Sequence, residues 1–211
     1  MSRQRLLNII HLSAWMVAVV AACATFWALW LSRYQPIEWD LAMMHYSAFL
    51  INEKGFILYR DIFENNLPGA FLFHVILGKT VGYDAFPLRI VDFCILAGLA
   101  VTTWKIVNPI SKPGAILASC IFTGLYLFTG SATELQRDYL GILPIAIAVW
   151  LVTYERRNII EKSIFLGALC GLSCGFKPNY IIIFPTLYFL LYQEMRLATP
   201  LYKLRSLLWM G

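Results

Sequence analysis

Long apolar blocks follow one another along this chain, separated by short polar stretches, without the strict alternation of a half-buried strand. The blocks fall near residues 6–31, 87–107, 115–130, 139–154, 163–176 and 180–192, with a shorter one over 67–78. A helix that crosses a bilayer needs roughly 20 residues, or about 17 at the least. Six blocks are therefore expected to span, the shorter ones by borrowing flanking residues. The block 67–78 is too short, begins with Pro68 at a favoured helix start, and is expected to lie along the membrane interface. The pair 163–176 and 180–192 is either a hairpin turning at Lys177-Pro178 or one kinked helix. The hairpin is preferred, because it keeps Arg196, Lys203 and Arg205 with the other basic residues.

Charge supports the six-span count. If 67–78 does not cross, Arg3, Arg5, Lys105, Lys112, Arg156, Arg157, Lys162, Arg196, Lys203 and Arg205 share one side, ten of the seventeen basic residues. Basic residues concentrate on the cytoplasmic side of membrane proteins. The N-terminus is then expected inside, and residues 32–86 form a large first outer loop. Nine of the twelve acids, among them Glu38, Asp40, Asp61, Glu64, Glu134 and Asp138, fall outside or near the outer surface.

Composition agrees with that picture. The chain is 60% hydrophobic and 14% charged, against about 25% charged in a soluble domain. The fold class expected is an all-α membrane protein, one module over 1–211 in a cell membrane. The net charge of +5 belongs to the span flanks, so no nucleic-acid partner is expected. The five cysteines lie in apolar runs and read as small buried hydrophobes. The first apolar stretch is too long for a signal-peptide core and is expected to be a retained span. The chain stops in "SLLWMG", which suggests a fragment or a truncated product.

Candidate chemistry concentrates in the outer segments. In "EWDLAMMHYSAFLINEKG", Asp40 suits either an N-terminal cap for a helix ended by Gly55 or a general base at the membrane surface. The stretch "FILYRDIFENNLPG" gathers Tyr59, Arg60, Asp61, Glu64 and Asn66, with Asn66 as the expected cap of the Pro68 helix. Its bland interpretation is a solvated loop; its aromatic neighbours suggest instead a loop packed on the membrane domain. Arg89 and Asp92, three apart near the end of a span, are expected to pair. Glu134 and Asp138 stand four apart, on one face if a helix extends that far. Lys177 needs an anion, for which a lipid phosphate is the expected choice. His45 and His74 are expected to be packed, and no metal is indicated.

In order, "PIEWD", "LYRDIFENNLPGAFLFH", "ATELQRDYLGILPIAIAVW" and "FLGALCGLSCGFKPNY" resemble the N-terminal half of the GT-C membrane glycosyltransferases. The branch is that of the protein O-mannosyltransferases and lipid A aminoarabinose transferases. The resemblance implies that Asp40 is catalytic, with Glu38 as its acidic neighbour. It implies that Tyr59, Arg60, Asp61, Glu64, Asn66, Glu134, Asp138 and Lys177 line the substrate site. The chain departs from the family in its Asn66-Leu67-Pro68, where many relatives have two prolines, in its non-contiguous acidic pair, and in its shorter length.

The function this implies is transfer of a sugar from a polyprenyl-phosphate donor to an outer-face glycan, lipid or protein acceptor, without a cofactor. The alternative is a non-catalytic membrane protein, such as a lipid or polysaccharide transporter or an assembly partner. A transporter is expected to bury its charges near the bilayer midplane.

Overall fold

In a computed structural model, the structure describes residues 3–64, 66–155 and 158–193, and these are almost wholly helical. The elements in order are α1 (Arg3–Ser32), α2 (Trp39–Lys54), α3 (Pro68–Val81), α4 (Ala85–Val107), α5 (Lys112–Phe128), α6 (Arg137–Leu140), α7 (Ile142–Tyr154) and α8 (Ile159–Phe176). A ninth helix, α9, covers 184–193. Short 3₁₀ turns occupy Gly130–Thr133 and Pro178–Ile183.

Four segments are long and apolar enough to cross a membrane: Asn8–Ser32, Ala85–Val107, Arg137–Tyr154 and Ile159–Phe176. The protein is thus an all-α, multi-pass membrane protein. Two of the six expected spans do not reach that length among the described residues. Helix α5 has 17 residues, and α9 is described over 184–193 only. The apolar surface points outward, as lipid-facing helices require. Val20, Phe26, Trp27, Ile121 and Leu125 are all exposed. The same inversion corrects the expectation for the cysteines, since Cys23 and Cys94 are exposed on that apolar surface rather than buried.

Residues 163–192 fold as a hairpin. Tyr188 Oη lies 3.3 Å from where a Cβ on Gly167 would stand. Leu166 packs in one cluster with Phe184, Leu187 and Leu191. A continuous helix would hold residues 167 and 188 about 30 Å apart at 1.5 Å per residue. The chain therefore turns back at Lys177-Pro178, midway between the contacting positions.

Helix α3 has 14 residues, about 21 Å of length against roughly 30 Å of hydrocarbon. Its buried residues Ala70, Phe71, His74, Leu77 and Gly78 form one face. Against it packs α2, through Leu41 and Met44. Helix α2 ends where the sequence suggests, with Gly55 in the left-handed conformation that glycine takes most easily. The start of α3 is pressed against the end of α8: a Cβ on Gly69 would stand 2.2 Å from the Gly175 carbonyl oxygen. Only a residue without a side chain permits that approach.

One end of the bundle collects the ends of α1, α4, α5, α6 and α8. Arg89 of α4 donates to the Gln35 carbonyl just past α1 at 2.7 Å. Ser131, past α5, donates to Glu38 at 2.8 Å. Lys177, past α8, pairs with Asp138 of α6. The α2–α3 pair sits over this end, sharing a core that also takes in Leu88, Leu135, Leu140 and Phe176. Because Glu38, Asp40, Glu134 and Asp138 all lie here, we call it the acidic end.

Candidate functional site

The acidic end is built by tertiary contacts that tie its loops together. Glu38 occupies the N-cap position of α2 but makes no capping bond with its side chain. Its Oε2 accepts instead from Ser131 Oγ. Three residues earlier, the Gln35 carbonyl accepts from Arg89, which also reaches Glu134 Oε2 at 2.6 Å. These two clamps fix residues 35–38 against α4 and the connection between α5 and α6. Asp40 follows directly, in the first turn of α2. It is half-buried and has no hydrogen-bond or ion-pair partner among the described residues.

The expectation that Asp40 caps α2 is thereby corrected. The helix begins at Trp39, so the cap position falls on Glu38, and Asp40 lies two residues inside. Asn66 is likewise not the cap of α3; Leu67 is, with Pro68 as the first helical residue. Asn66 is drawn away by its neighbours. Its backbone N–H donates to Glu64 Oε1 at 3.2 Å, and its carbonyl accepts from Tyr59 Oη at 2.5 Å.

Ion pairing also departs from the sequence expectation. Arg89 pairs with Glu134, not with Asp92; their side chains are 7% and 2% exposed. Asp92 accepts from Tyr126 Oη instead. Burial pushes the Glu134 carboxyl above its ordinary range, and the Arg89 guanidinium pulls against that rise. Glu134 and Asp138 do not share a helical face, because Glu134 is extended and α6 begins only at Arg137. They turn to different cations, Arg89 and Lys177. The anion that meets Lys177 is thus Asp138, a carboxylate of the protein itself.

Tyr59, Arg60, Asp61, Glu64 and Asn66 form a tight turn closed by local bonds. Asp61 accepts from Arg60 at 2.8 Å and from the Ile57 N–H at 2.8 Å. Each partner holds the other charged, so the Asp61 carboxyl is pulled below, and the Arg60 guanidinium raised above, its ordinary value. Leu58 of this turn packs on the core that contains Phe176, and Gly69, just after it, meets Gly175, so the turn lies near the end of α8.

Backbone strain marks the same places. Three residues other than glycine have positive φ among those described: Trp39 at 52°, Tyr59 at 69° and Leu135 at 46°. Each costs on the order of 1–3 kcal/mol, and such residues cluster at functional sites. Trp39 separates Glu38 from Asp40, Tyr59 precedes Arg60-Asp61, and Leu135 follows Glu134.

A cavity of about 330 Å³ opens at Asp138; Asp40, Glu38 and the Tyr59–Asn66 turn do not line it. Asp138, Gln136, Thr133, Tyr126, Tyr139 and Tyr180 supply its polar wall. Tyr180 Oη donates to the Asp138 carbonyl, which fixes the ring against the residue that holds Lys177. The volume lies near the lower end of small-ligand sites. Tyr180 and Ser131 were not singled out from sequence; the only local hint for Tyr180 is its place three residues after Lys177.

His45 and His74 are packed, as expected. Their rings meet edge to face with centroids 5.6 Å apart. Each Nε2 lies by a backbone carbonyl, that of Gly82 at 3.2 Å and that of Leu135 at 3.3 Å. A carbonyl only accepts, so Nε2 carries the proton in both rings. Among the described residues no group of three His, Cys, Asp or Glu side chains could hold a metal ion. Burial, with His45 beside it, pushes the His74 pKa down to about 4 from an ordinary 6.5. A depressed folded value means stability that is present above pH 6.5 and lost as the pH falls toward 4. Acidification across this window should destabilise the protein by about 1.4 kcal/mol per pH unit, a slope that His74→Gln should remove. Thermal melts in detergent at pH 7.5, 6 and 4.5 measure it. Parallel pH profiles for the two proteins would assign the acid sensitivity elsewhere.

No protein-family model, no curated protein and no solved structure matches this chain.

Proposed function

We propose that the protein is a membrane glycosyltransferase whose acidic end faces outward and transfers a sugar from a polyprenyl phosphate to an acceptor there. The observation that carries this reading is Asp40: a half-buried carboxylate without a partner among the described residues, directly after a doubly clamped segment. A general base must keep its carboxylate free and its position fixed. In the reaction, the acceptor oxygen or nitrogen attacks the anomeric carbon while Asp40 takes its proton. The bond from that carbon to the phosphate oxygen breaks, and its electron pair stays on the phosphate. Lys177 stabilises that growing charge by exchanging Asp138 for the lipid phosphate. Glu38 helps to hold the segment through Ser131, and Glu134 through Arg89.

The topology belongs to the same proposal: six spans, an inner N-terminus, residues 32–86 outside, and α3 along the interface. The positions of the buried ions favour surface chemistry over transport. Arg89 and Asp92 lie within the first two or so turns of α4, on the acidic-end side, rather than near mid-helix.

Two experiments test the reading. In a variant without native cysteines, an impermeant maleimide applied outside should label Glu53→Cys and not Ser111→Cys; the reverse pattern inverts the topology. Proteoliposomes of the full chain, supplied with polyprenyl-phosphate hexose or pentose, should release polyprenyl phosphate, read by mass spectrometry. No release from either donor, at any acceptor offered, overturns the transferase reading.

A further inference from the structure

A second and larger cavity, about 600 Å³, runs between α1, α4 and α5 on the outside of the bundle. It starts at Arg33 and Phe86, passes Arg89 and Phe93, and ends near Ala100 and Ser119. From Phe86 to Ala100 is fourteen residues of α4, about 21 Å at 1.5 Å per residue. Half of a bilayer of roughly 40–45 Å, head groups included, is about 20–22 Å. The groove therefore reaches from the acidic-end surface to about the bilayer midplane, the depth of one leaflet.

Its mouth carries a cation that is open to an anion. Arg33 is exposed, and its guanidinium carbon lies 3.3 Å from the Trp30 ring centroid and 4.4 Å from that of Tyr34. One Nη2–H donates to Tyr34 Oη, and stacking on the aromatic faces leaves the other N–H groups of the fork at the edge for a further acceptor. Arg33 has no carboxylate partner among the described residues. Arg89, deeper in the wall, is already engaged by Glu134 and the Gln35 carbonyl.

We propose that this groove binds one phospholipid with an anionic head group, its acyl chain lying along α4 and its phosphate on Arg33. The apolar length selects a lipid over a soluble phosphate, and one leaflet's depth suits an acyl chain rather than a much longer polyprenyl chain. The charge at the mouth selects an anionic head over a zwitterionic one. The site is separate from Asp40 and from the Asp138–Lys177 pair, and does not depend on the transferase reading.

The test uses the full chain in detergent, offered phosphatidylglycerol and phosphatidylcholine with matched acyl chains, with retained lipid read by native mass spectrometry. Phosphatidylglycerol should be retained about fivefold better, the effect of roughly one basic residue at an anionic surface. In Arg33→Gln, a change at an exposed side chain, the ratio should fall to about one. On the wild-type fold, Cys120 lines the groove. Its modification by a membrane-permeant maleimide should be slowed by phosphatidylglycerol in the wild type and not in Arg33→Gln. Equal retention of the two lipids, an Arg33→Gln ratio like wild type, displacement of the lipid by inorganic phosphate, or an unprotected Cys120 would each overturn the proposal.

Discussion

Replacing Asp40 by asparagine is expected to lower sugar transfer by about 10²–10⁴-fold, the usual worth of general-base assistance, with little change in stability. Asparagine keeps the size and one oxygen of the side chain but cannot accept the acceptor's proton. The competing account is structural. A carboxylate in the first turn of a helix interacts favourably with the helix dipole, which is worth about 0.3–1 kcal/mol. On that account Asp40→Asn shifts the melting temperature slightly and leaves the turnover rate alone. Capping is no longer the alternative, because Glu38 holds the cap position. Measuring donor turnover beside thermal melts, in the protein as its own gene expresses it, separates the two. Transfer within a factor of a few of wild type would remove Asp40 from the chemistry.

The helices were legible in the sequence because lipid imposes its demand on every face. An apolar run long enough to cross must be a helix, whatever it packs against. For the same reason Pro68 and a twelve-residue block sufficed to predict a helix, observed as α3, too short to cross. The ion pairs were not legible, because their partners are set by how the helices pack. Arg89 needs a buried anion, and Asp92 is its neighbour in sequence. Yet Glu134, 45 residues on, is delivered to it by the connection between α5 and α6. Glu134 and Asp138 stand at helical spacing, but Leu135, with φ at 46°, breaks the helix between them. Lys177 met an acid of its own chain for the same reason: the α8–α9 hairpin returns its tip to α6. Sequence found the groups that need partners, and tertiary packing chose which partners they received.

That choice makes the Arg89–Glu134 pair the other large expected effect. Arg89→Met should destabilise the protein by about 3–5 kcal/mol, since removing one member strands the other as a buried charge. Glu134 can relieve part of this by taking a proton, and burial already pushes its carboxyl upward. Without Arg89 the opposing pull is gone, so its folded pKa moves further above the unfolded value. A raised carboxyl contributes stability below its unfolded pKa and loses it as pH climbs through the folded one. The deficit of Arg89→Met relative to wild type should therefore be larger at pH 8 than at pH 5. Glu134→Gln strands the guanidinium instead, which cannot discharge, so its deficit should change much less over that range. The double variant Arg89→Met/Glu134→Leu should recover much of the loss, because apolar side chains of similar size commonly replace a buried pair without penalty. It would nonetheless lose the bond from Arg89 to the Gln35 carbonyl, and with it one of the two clamps that hold the segment before Asp40. Restored stability with transfer still reduced would show the pair positioning Asp40. Melting in detergent at both pH values decides the first part: an Arg89→Met protein as stable as wild type, or equally deficient at pH 5 and pH 8, would mean that Glu134 is not held as a buried anion by Arg89.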